Sequence, residues 1–409
     1  MVFGHHRVNG ARVRALLEES AALGRDPGRG PGLHRPALSP ADLRVRAWVR
    51  RKMEEAGLQV HVDGALNLHG VLPAASVQQS TENDDVTEIH VPARRGDRPR
   101  VVTGSHMDSV IGGGHLDGAL GVIAGIECLR RVQELRSAGA IGPLLHDLEV
   151  IDFTDEEGRF GGMLGSMCIA GGGAGGGILS ERDILAMSSA DSGERGVDLL
   201  VKHCNSGDGG GNASEAQAAR NALASAYPPN SIKGFVELHI EQGPVLDAQG
   251  EELAVVSGIC GLWKMEFTLV GQQNHAGTTP MSMRRNAFEG CARVQTSIPA
   301  ILRESGGPKT VCTIGSCLLT PGSPNVVPGK CVFTVEVRDA RANIVAAMSS
   351  TVRQYVQDIA RELGLDVEQE RLMSMMDPVA ADPAIMSSIR RHCLRALEQD
   401  KDNCGVAPS

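Results

Sequence analysis

Apolar positions along the chain change period several times, and each change predicts an element. Ser39-Pro40-Ala41-Asp42 reads as an N-cap with proline at the first helical position. Leu43, Ala47, Trp48 and Met53 follow at helical spacing, and Gly57 ends the run. Strand-like segments come next at Leu58–Val62 and Asn67–Leu72, then a polar, proline-containing stretch to Arg100 that reads as a surface loop or hairpin. Val101–Gly104 is a buried strand, Gly118–Ala138 a helix, Leu148–Phe153 a strand, and Phe235–Ile240 resumes the sheet. Strand, helix, strand in that order marks an α/β unit with a mostly parallel sheet.

Beyond residue 260 the order changes. Leu262–Val270, Val311–Leu318, Cys331–Val337 and Asp366–Leu372 alternate as strands, while Met283–Leu302 and Asn343–Leu363 repeat as helices. The resulting β-α-β-β-α-β order is that of a ferredoxin-like unit, expected as a domain of residues 260–374 inserted between 1–259 and 375–409. A last amphipathic helix spans Pro383–Leu397. Two glycine-rich patches, Gly171–Gly177 and Gly207–Gly211, lack the strand before and the Gly-Lys-Ser/Thr after that a phosphate cradle needs, and read as flexible loops.

Composition narrows the function. Lys plus Arg number 40 against 49 acids, a net charge of −9, which argues against a nucleic-acid backbone as partner. Aromatics at 3% are too few for base-stacking platforms. The most apolar stretch, Ala119–Leu129, is too short to cross a bilayer, and no secretory signal follows Met1, so a cytoplasmic setting without membrane partners is expected. Ten cysteines lie between Cys128 and Cys404 with no C-x-x-C pair, and read as reduced, buried small apolar residues. The closest two, Cys312 and Cys317, should face opposite sides of one strand.

Chemistry gathers at four places, each following a strand or opening a helix. They are Gly104-Ser105-His106-Met107-Asp108, Leu116-Asp117-Gly118, Thr154-Asp155-Glu156-Glu157-Gly158 and Glu237-Leu238-His239-Ile240-Glu241-Gln242-Gly243. Ligands of open α/β sheets collect at the carboxyl ends of strands. Imidazoles and carboxylates delivered there suit a divalent cation, and a cation also relieves the repulsion of three adjacent acids.

These motifs, with Asn274-His275-Ala276-Gly277-Thr278-Thr279-Pro280-Met281 and Asn325-Val326-Val327-Pro328-Gly329, resemble the amidase branch of the M20 peptidase family. That branch holds N-carbamoyl-L-amino-acid hydrolases and allantoate amidohydrolases. The resemblance runs from about residue 10 to about 395. It implies a metal-binding catalytic α/β domain and an inserted lid that forms a homodimer. It further implies two divalent ions per subunit, Mn²⁺ or Zn²⁺ with Co²⁺ and Ni²⁺ also suited, bridged by Asp117. His106 and His239 would complete the first site and Glu157 would serve the second. Asp108 would hold the His106 ring and Glu156 would be the general base. His275 of the lid would stabilise the oxyanion across the dimer, and Asn325 and Arg338 would grip the substrate. Gln242 would line the site or cap a turn. His115 has no counterpart in the ligand set.

The sequence departs from the family in places. Members carry a later Gly-His-Asp segment with the last ligand of the second ion, whereas after Arg338 the sole histidine is His392, within a helix. The chain therefore looks C-terminally truncated, with a weakened second site and an uncovered sheet edge. Gly261-Leu262-Trp263 is apolar where allantoate enzymes tend to carry Gly-Gln, which favours a linear N-carbamoyl-L-amino acid as substrate. The near alternative is allantoate, and the alternative of another class is an inactive homologue that retains the lid dimer.

Overall fold

The computed structural model describes residues 7–74, 99–171, 178–189, 192–206 and 212–403. Most of the polar stretch before Arg100 and nearly all of both glycine-rich patches fall outside them. Contacts divide the chain into two units, Met1–Val245 and Leu246–Ser409. Among the described residues, 246–259 and 375–403 group by contact with the second of these units.

In the first unit, helices α1 (Gly10–Ala22) and α2 (Pro40–Glu55) precede strands β1 (Gln59–Val62), β2 (Leu68–Leu72) and β3 (Arg100–His106). Helix α3 (Ala119–Ser137), strand β4 (Asp147–Phe153), short helices α4 (Leu164–Gly171), α5 (Glu181–Ala186), α6 (Gly196–Ser206) and α7 (Glu215–Leu223), and strand β5 (Ile232–Val236) follow. The sheet order is β1-β2-β4-β3-β5. The ladders β4–β3 and β3–β5 are parallel, and β1–β2 and β2–β4 are antiparallel. The parallel half is the part that carries the site. Ser39 caps α2 as anticipated, accepting a hydrogen bond from the Asp42 amide. The buried face of α2 is Val45, Trp48, Val49 and Met53, while Leu43 points outward. These side chains meet Val122, Ile123 and Ile126 of α3 in one core on the sheet.

The second unit contains α8 (Val245–Gln249), which begins at the boundary, and β6 (Gly258–Ile259). After it come β7 (Gly261–Val270), β8 (Asn274–His275), α9 (Ala287–Ser305), β9 (Val311–Thr320), β10 (Val326–Val327) and β11 (Lys330–Asp339). Helix α10 (Ala342–Glu362), β12 (Asp366–Met376), β13 (Val379–Ala380) and α11 (Pro383–Asn403) complete it. The four long strands form an antiparallel sheet in the order β12-β7-β11-β9, the ferredoxin-like arrangement expected. Helices α9 and α10 cover one face, burying Trp263, Phe267, Phe333 and Val337. Cys312 and Cys317 do not face opposite sides. A β-bulge sets Ile314 against Val335 but Ser316 against Thr334, leaving Gly315 as the extra residue. Cys312 thus pairs with Val337 and Cys317 with Phe333, both on the helix-covered face.

A buried ion triad joins β2 and β4. Nδ1 of His69 lies 2.8 Å from Glu149 and Nε2 lies 3.1 Å from Asp63, and all three residues are buried. Arg100 adds a 3.0 Å contact to Glu149, His61 stacks on the His69 ring, and the Tyr227 hydroxyl lies 3.4 Å from Nδ1. Burial opposes every charge here, but the pairings prevail. They raise the His69 imidazolium above its ordinary value, lower Asp63, and hold Glu149 at about 2. The carboxylate contributions are present above the ordinary carboxylate range and lost as pH falls through the depressed values. The His69 contribution is full below its ordinary value of about 6.5 and lost as pH rises through the raised one. Replacing His69 by Ala is expected to cost about 3 kcal/mol near neutral pH by stranding two buried carboxylates. Urea denaturation of H69A and the parent across pH checks this, and the gap should narrow at both ends of the window.

Candidate metal centre and the residues around it

Strand β3 ends at His106 because its parallel partners deliver the chain to one edge, where Ser105 and His106 register against Asp152 and Phe153 of β4. The His106 ring is buried, and its Nδ1 lies 3.0 Å from the backbone carbonyl of Asp108. A carbonyl can only accept, so Nδ1 carries the hydrogen, and in the neutral ring Nε2 presents a lone pair. His239 lies three residues beyond the end of β5, not on the strand as expected, and repeats the arrangement. Its Nδ1 lies 2.7 Å from the Ile240 carbonyl, which leaves Nε2 as the free lone pair.

Asp117 stands between them. Its Oδ1 is 3.3 Å from His239 Nε2, is buried and has no hydrogen-bond donor. Ligand atoms of His106, Asp117 and His239 all lie within 4.8 Å of one another. A nitrogen lone pair aimed at a carboxylate oxygen is repulsive unless a proton or a cation lies between them. This donor set, two imidazole nitrogens and one carboxylate, fits a divalent ion of the zinc or manganese type.

Glycines make the convergence possible. Gly118 opens α3 at φ +65°, and a Cβ there would lie 2.4 Å from the His106 carbonyl and 2.6 Å from ring atoms Cε1 and Nε2. One turn on, a Cβ at Gly121 would lie 2.8 Å from the Leu238 carbonyl. Without side chains at these two positions, the segment carrying His239 can lie against α3.

The acidic triplet divides. Asp155, in the left-handed region at φ +56°, is buried and accepts from the Phe160 amide at 3.2 Å. Burial pushes its carboxyl up to about 6, and it takes no part in the centre. Glu156 reaches His106, with Oε2 3.3 Å from Nε2. Glu157 stays outside the three-residue group. Its carboxyl is raised by burial, with His106 opposing and Glu156 and Asp117 adding to the rise.

Asp108 lies against the His106 ring. Its carbonyl, rather than its carboxylate, orients His106; Oδ1 sits 3.6 Å from the ring and Oδ2 accepts from the Glu157 amide at 3.2 Å. Burial pushes the Asp108 carboxyl up to about 8. For His106, burial disfavours the charged ring, but Asp108 and Glu156 outweigh it and the pKa rises. Gln242 is neither a free lining residue nor a simple turn cap. Held at φ +57°, it donates from Nε2 to Asp117 Oδ2 at 2.6 Å, the oxygen a bridging role would offer to a second ion. Glu237, which opens the fourth motif but has no role assigned from the sequence, accepts from Ser105 Oγ at 2.6 Å and ties the two histidine-bearing segments together.

The remaining residues lie in the second unit. Strands β8 and β10 pair His275 with Val326, and the Ala276 amide donates to the Asn325 carbonyl at 2.9 Å, so His275 and Asn325 are neighbours. Here the ring polarity is reversed. His275 Nδ1 accepts from the Gly277 amide at 3.1 Å, so the neutral ring carries its hydrogen on Nε2 and is a donor. Arg338 on β11 is exposed and contacts Glu336 at 2.6 Å, while its neighbour Asp339 is held by Arg341 and Thr310. Leu262 of β7 lies directly across from Arg338, and Trp263 belongs to the core.

Residues 257–364 match the peptidase dimerisation domain of the M20 family. Over 389 residues, 94% of this chain and 83% of the relative, the sequence is 33% identical to an N-carbamoyl-L-amino acid amidohydrolase of Geobacillus stearothermophilus. The chain belongs to the M20 amidases of hydantoinase/carbamoylase type. An allantoate deiminase of Arabidopsis thaliana is 31% identical over 94% of this chain and 70% of its own length. A solved hydantoinase/carbamoylase-family amidase from Burkholderia vietnamiensis superposes with a TM-score of 0.75 at 29% identity, covering 96% of this chain and 84% of that one. Family membership makes this chain an amidohydrolase, a hydrolase of C–N bonds. None of the helices among the described residues is long and apolar enough to cross a membrane.

Replacing Gly118 by Ala tests the geometry of this amidase centre. The added methyl collides with the His106 ring at a positive φ, so metal affinity is expected to fall 10–100-fold, the range seen when groups that orient a ligand are disturbed. Calorimetric titration of Mn²⁺ or Zn²⁺ into the metal-stripped variant and parent checks this.

Proposed function

We propose that the protein hydrolyses the linear C–N bond of a small ureido carboxylate, an N-carbamoyl-L-amino acid first, releasing the amino acid, ammonia and carbon dioxide. The observation that carries this reading is the convergence of ligand atoms of His106, Asp117 and His239 within 4.8 Å of one another, with Glu156 3.3 Å from His106 Nε2. In this reading those three residues hold one divalent ion, Mn²⁺ or Zn²⁺ with Co²⁺ and Ni²⁺ also accommodated. The ion supplies Lewis acidity toward the substrate carbonyl and lowers the pKa of water. A second, weaker ion would take Asp117 and Glu157, and Gln242 would have to release Asp117 Oδ2 to admit it.

Glu156 is half exposed at the rim of the group, unlike buried Asp155, which suits a carboxylate that takes a proton from water and passes it to the leaving nitrogen. His275 presents Nε2–H, the polarity needed to stabilise an oxyanion. Arg338 offers a planar fork to the substrate carboxylate. Its exposed contact with Glu336 is weak enough to exchange for that carboxylate, and Asn325 adds amide contacts. Residues 260–374 serve as the lid in this reading and form the homodimer, in a cytoplasmic enzyme whose catalytic part is residues 1–259 with 375–409.

Relatives named N-carbamoyl-L-amino acid amidohydrolase support this substrate, and so does apolar Leu262 beside Arg338. Relatives named allantoate deiminase favour allantoate as the second reading. Ammonia release over a panel of N-carbamoyl-L-amino acids and allantoate, with added Mn²⁺ or Zn²⁺, separates them. Release from allantoate alone would reverse the preference. No release from any substrate, with a stable dimer, would point to an inactive homologue. Glu156→Gln is expected to lower kcat by roughly 10²–10⁴-fold with metal content unchanged. Arg338→Ala should act mainly on KM.

A further inference from the structure

Three cysteines far apart in sequence converge in the second unit. Cys291 comes from α9, Cys317 from β9 and Cys331 from β11. Cys317 Sγ lies 3.8 Å from Cys291 Sγ and 3.5 Å from Cys331 Sγ, and the three sulfurs all fall within 4.8 Å of one another. Cys291 and Cys331 are buried, whereas Cys317 is exposed. Among the described residues no other cysteines form such a group. The bulge at Gly315 creates it, since an unbroken period of two would turn Cys317 to the opposite face.

We propose that Cys291, Cys317 and Cys331 form a trithiolate site for a thiophilic divalent cation of the zinc class, separate from the His106–Asp117–His239 centre. Zn–S bonds of about 2.3 Å in tetrahedral geometry place sulfurs about 3.8 Å apart, close to the 3.8 and 3.5 Å that Cys317 already keeps from the other two. Binding forms three sulfur–metal bonds, with the three thiol protons passing to solvent. Exposed Cys317 gives the ion its entry path and leaves a fourth position for water. A disulfide between the two strands fits less well. Cys317 is opposite Phe333 and Cys331 opposite Leu319, so the two cysteines are diagonal neighbours. Such pairs sit roughly 7–8 Å apart at Cα, beyond the usual reach of a disulfide. An ion here would clamp α9 to β9 and β11 inside the segment that matches the dimerisation domain.

The test uses the full-length chain, stripped of metal under reducing conditions and titrated with Cd²⁺. Binding at the histidine–carboxylate centre gives no thiolate charge-transfer band, so the ultraviolet band reports the cysteines alone. One equivalent of Cd²⁺ is expected to develop the band, and Zn²⁺ should abolish it by competition and slow alkylation of Cys317 at least tenfold. Cys317→Ser, at an exposed position, should lose the band and weaken binding at least tenfold, whereas Cys260→Ser, an exposed cysteine outside the group, should leave both unchanged. An absent band, a band that persists in C317S, or a Cys317 disulfide in the untreated chain mapped without reductant would each overturn the proposal.

Discussion

Ring polarity, set by backbone atoms, is the constraint on which this molecule's chemistry rests. At His106 and His239 a main-chain carbonyl takes the Nδ1 hydrogen, so both Nε2 lone pairs are committed toward carboxylates. At His275 a main-chain amide donates to Nδ1, and Nε2 becomes the donor. In their neutral forms the three rings are thereby sorted, two presenting an Nε2 lone pair and one an Nε2–H, the polarities that the proposed roles require. Protonating His106 or His239 would satisfy the facing oxygens but remove a ligand. A cation satisfies them and keeps it.

That sorting depends on the parallel half of the sheet. β3 and β4 end together, so the chain leaves both at one edge, and α3 starts there on a glycine that admits the His106 ring. The turn after β4 uses Asp155 in the left-handed region, anchored by the Phe160 amide, to bring Glu156 to the ring rather than Asp155 itself. Buried Asp108 serves both elements, its carbonyl on His106 and its carboxylate on the Glu157 amide. The strain at Asp155 and at Gln242, each a non-glycine residue at positive φ, falls beside the centre, where such conformations tend to concentrate.

Much of this was legible in the sequence because it is local. Periodicity located β3, β4, α3 and the ferredoxin-like unit, and strand ends followed by His or Asp marked residues that converge in space. The illegible parts are those that tertiary contact decides. Three adjacent acids look equivalent on paper, yet Asp155 is buried and turned to the Phe160 amide while half-buried Glu156 reaches the His106 ring. Asp108 works through its carbonyl, an atom every residue carries and no motif distinguishes. A strand's period of two predicted opposite faces for Cys312 and Cys317, and a single extra residue at Gly315 reversed that. The His69 triad joins residues 6 and 80 positions apart, with no motif to announce it.

Charge in the first unit is distributed in a way that separates stability from chemistry. His69, Asp63 and Glu149 are sealed between β2 and β4 and satisfy one another, so a metal would have to displace an existing ion pair to enter. Asp117 is only partly covered, and its buried Oδ1 has no donor to lose. Both clusters contain histidine and carboxylate within bonding range. What distinguishes them is whether both ring nitrogens lie within 3.1 Å of acids, as at His69, or whether one meets a backbone carbonyl and the other faces a carboxylate at 3.3 Å, as at His106 and His239. By that criterion an ion in the first unit would displace less at the edge carrying His106 and His239 than at the His69 triad.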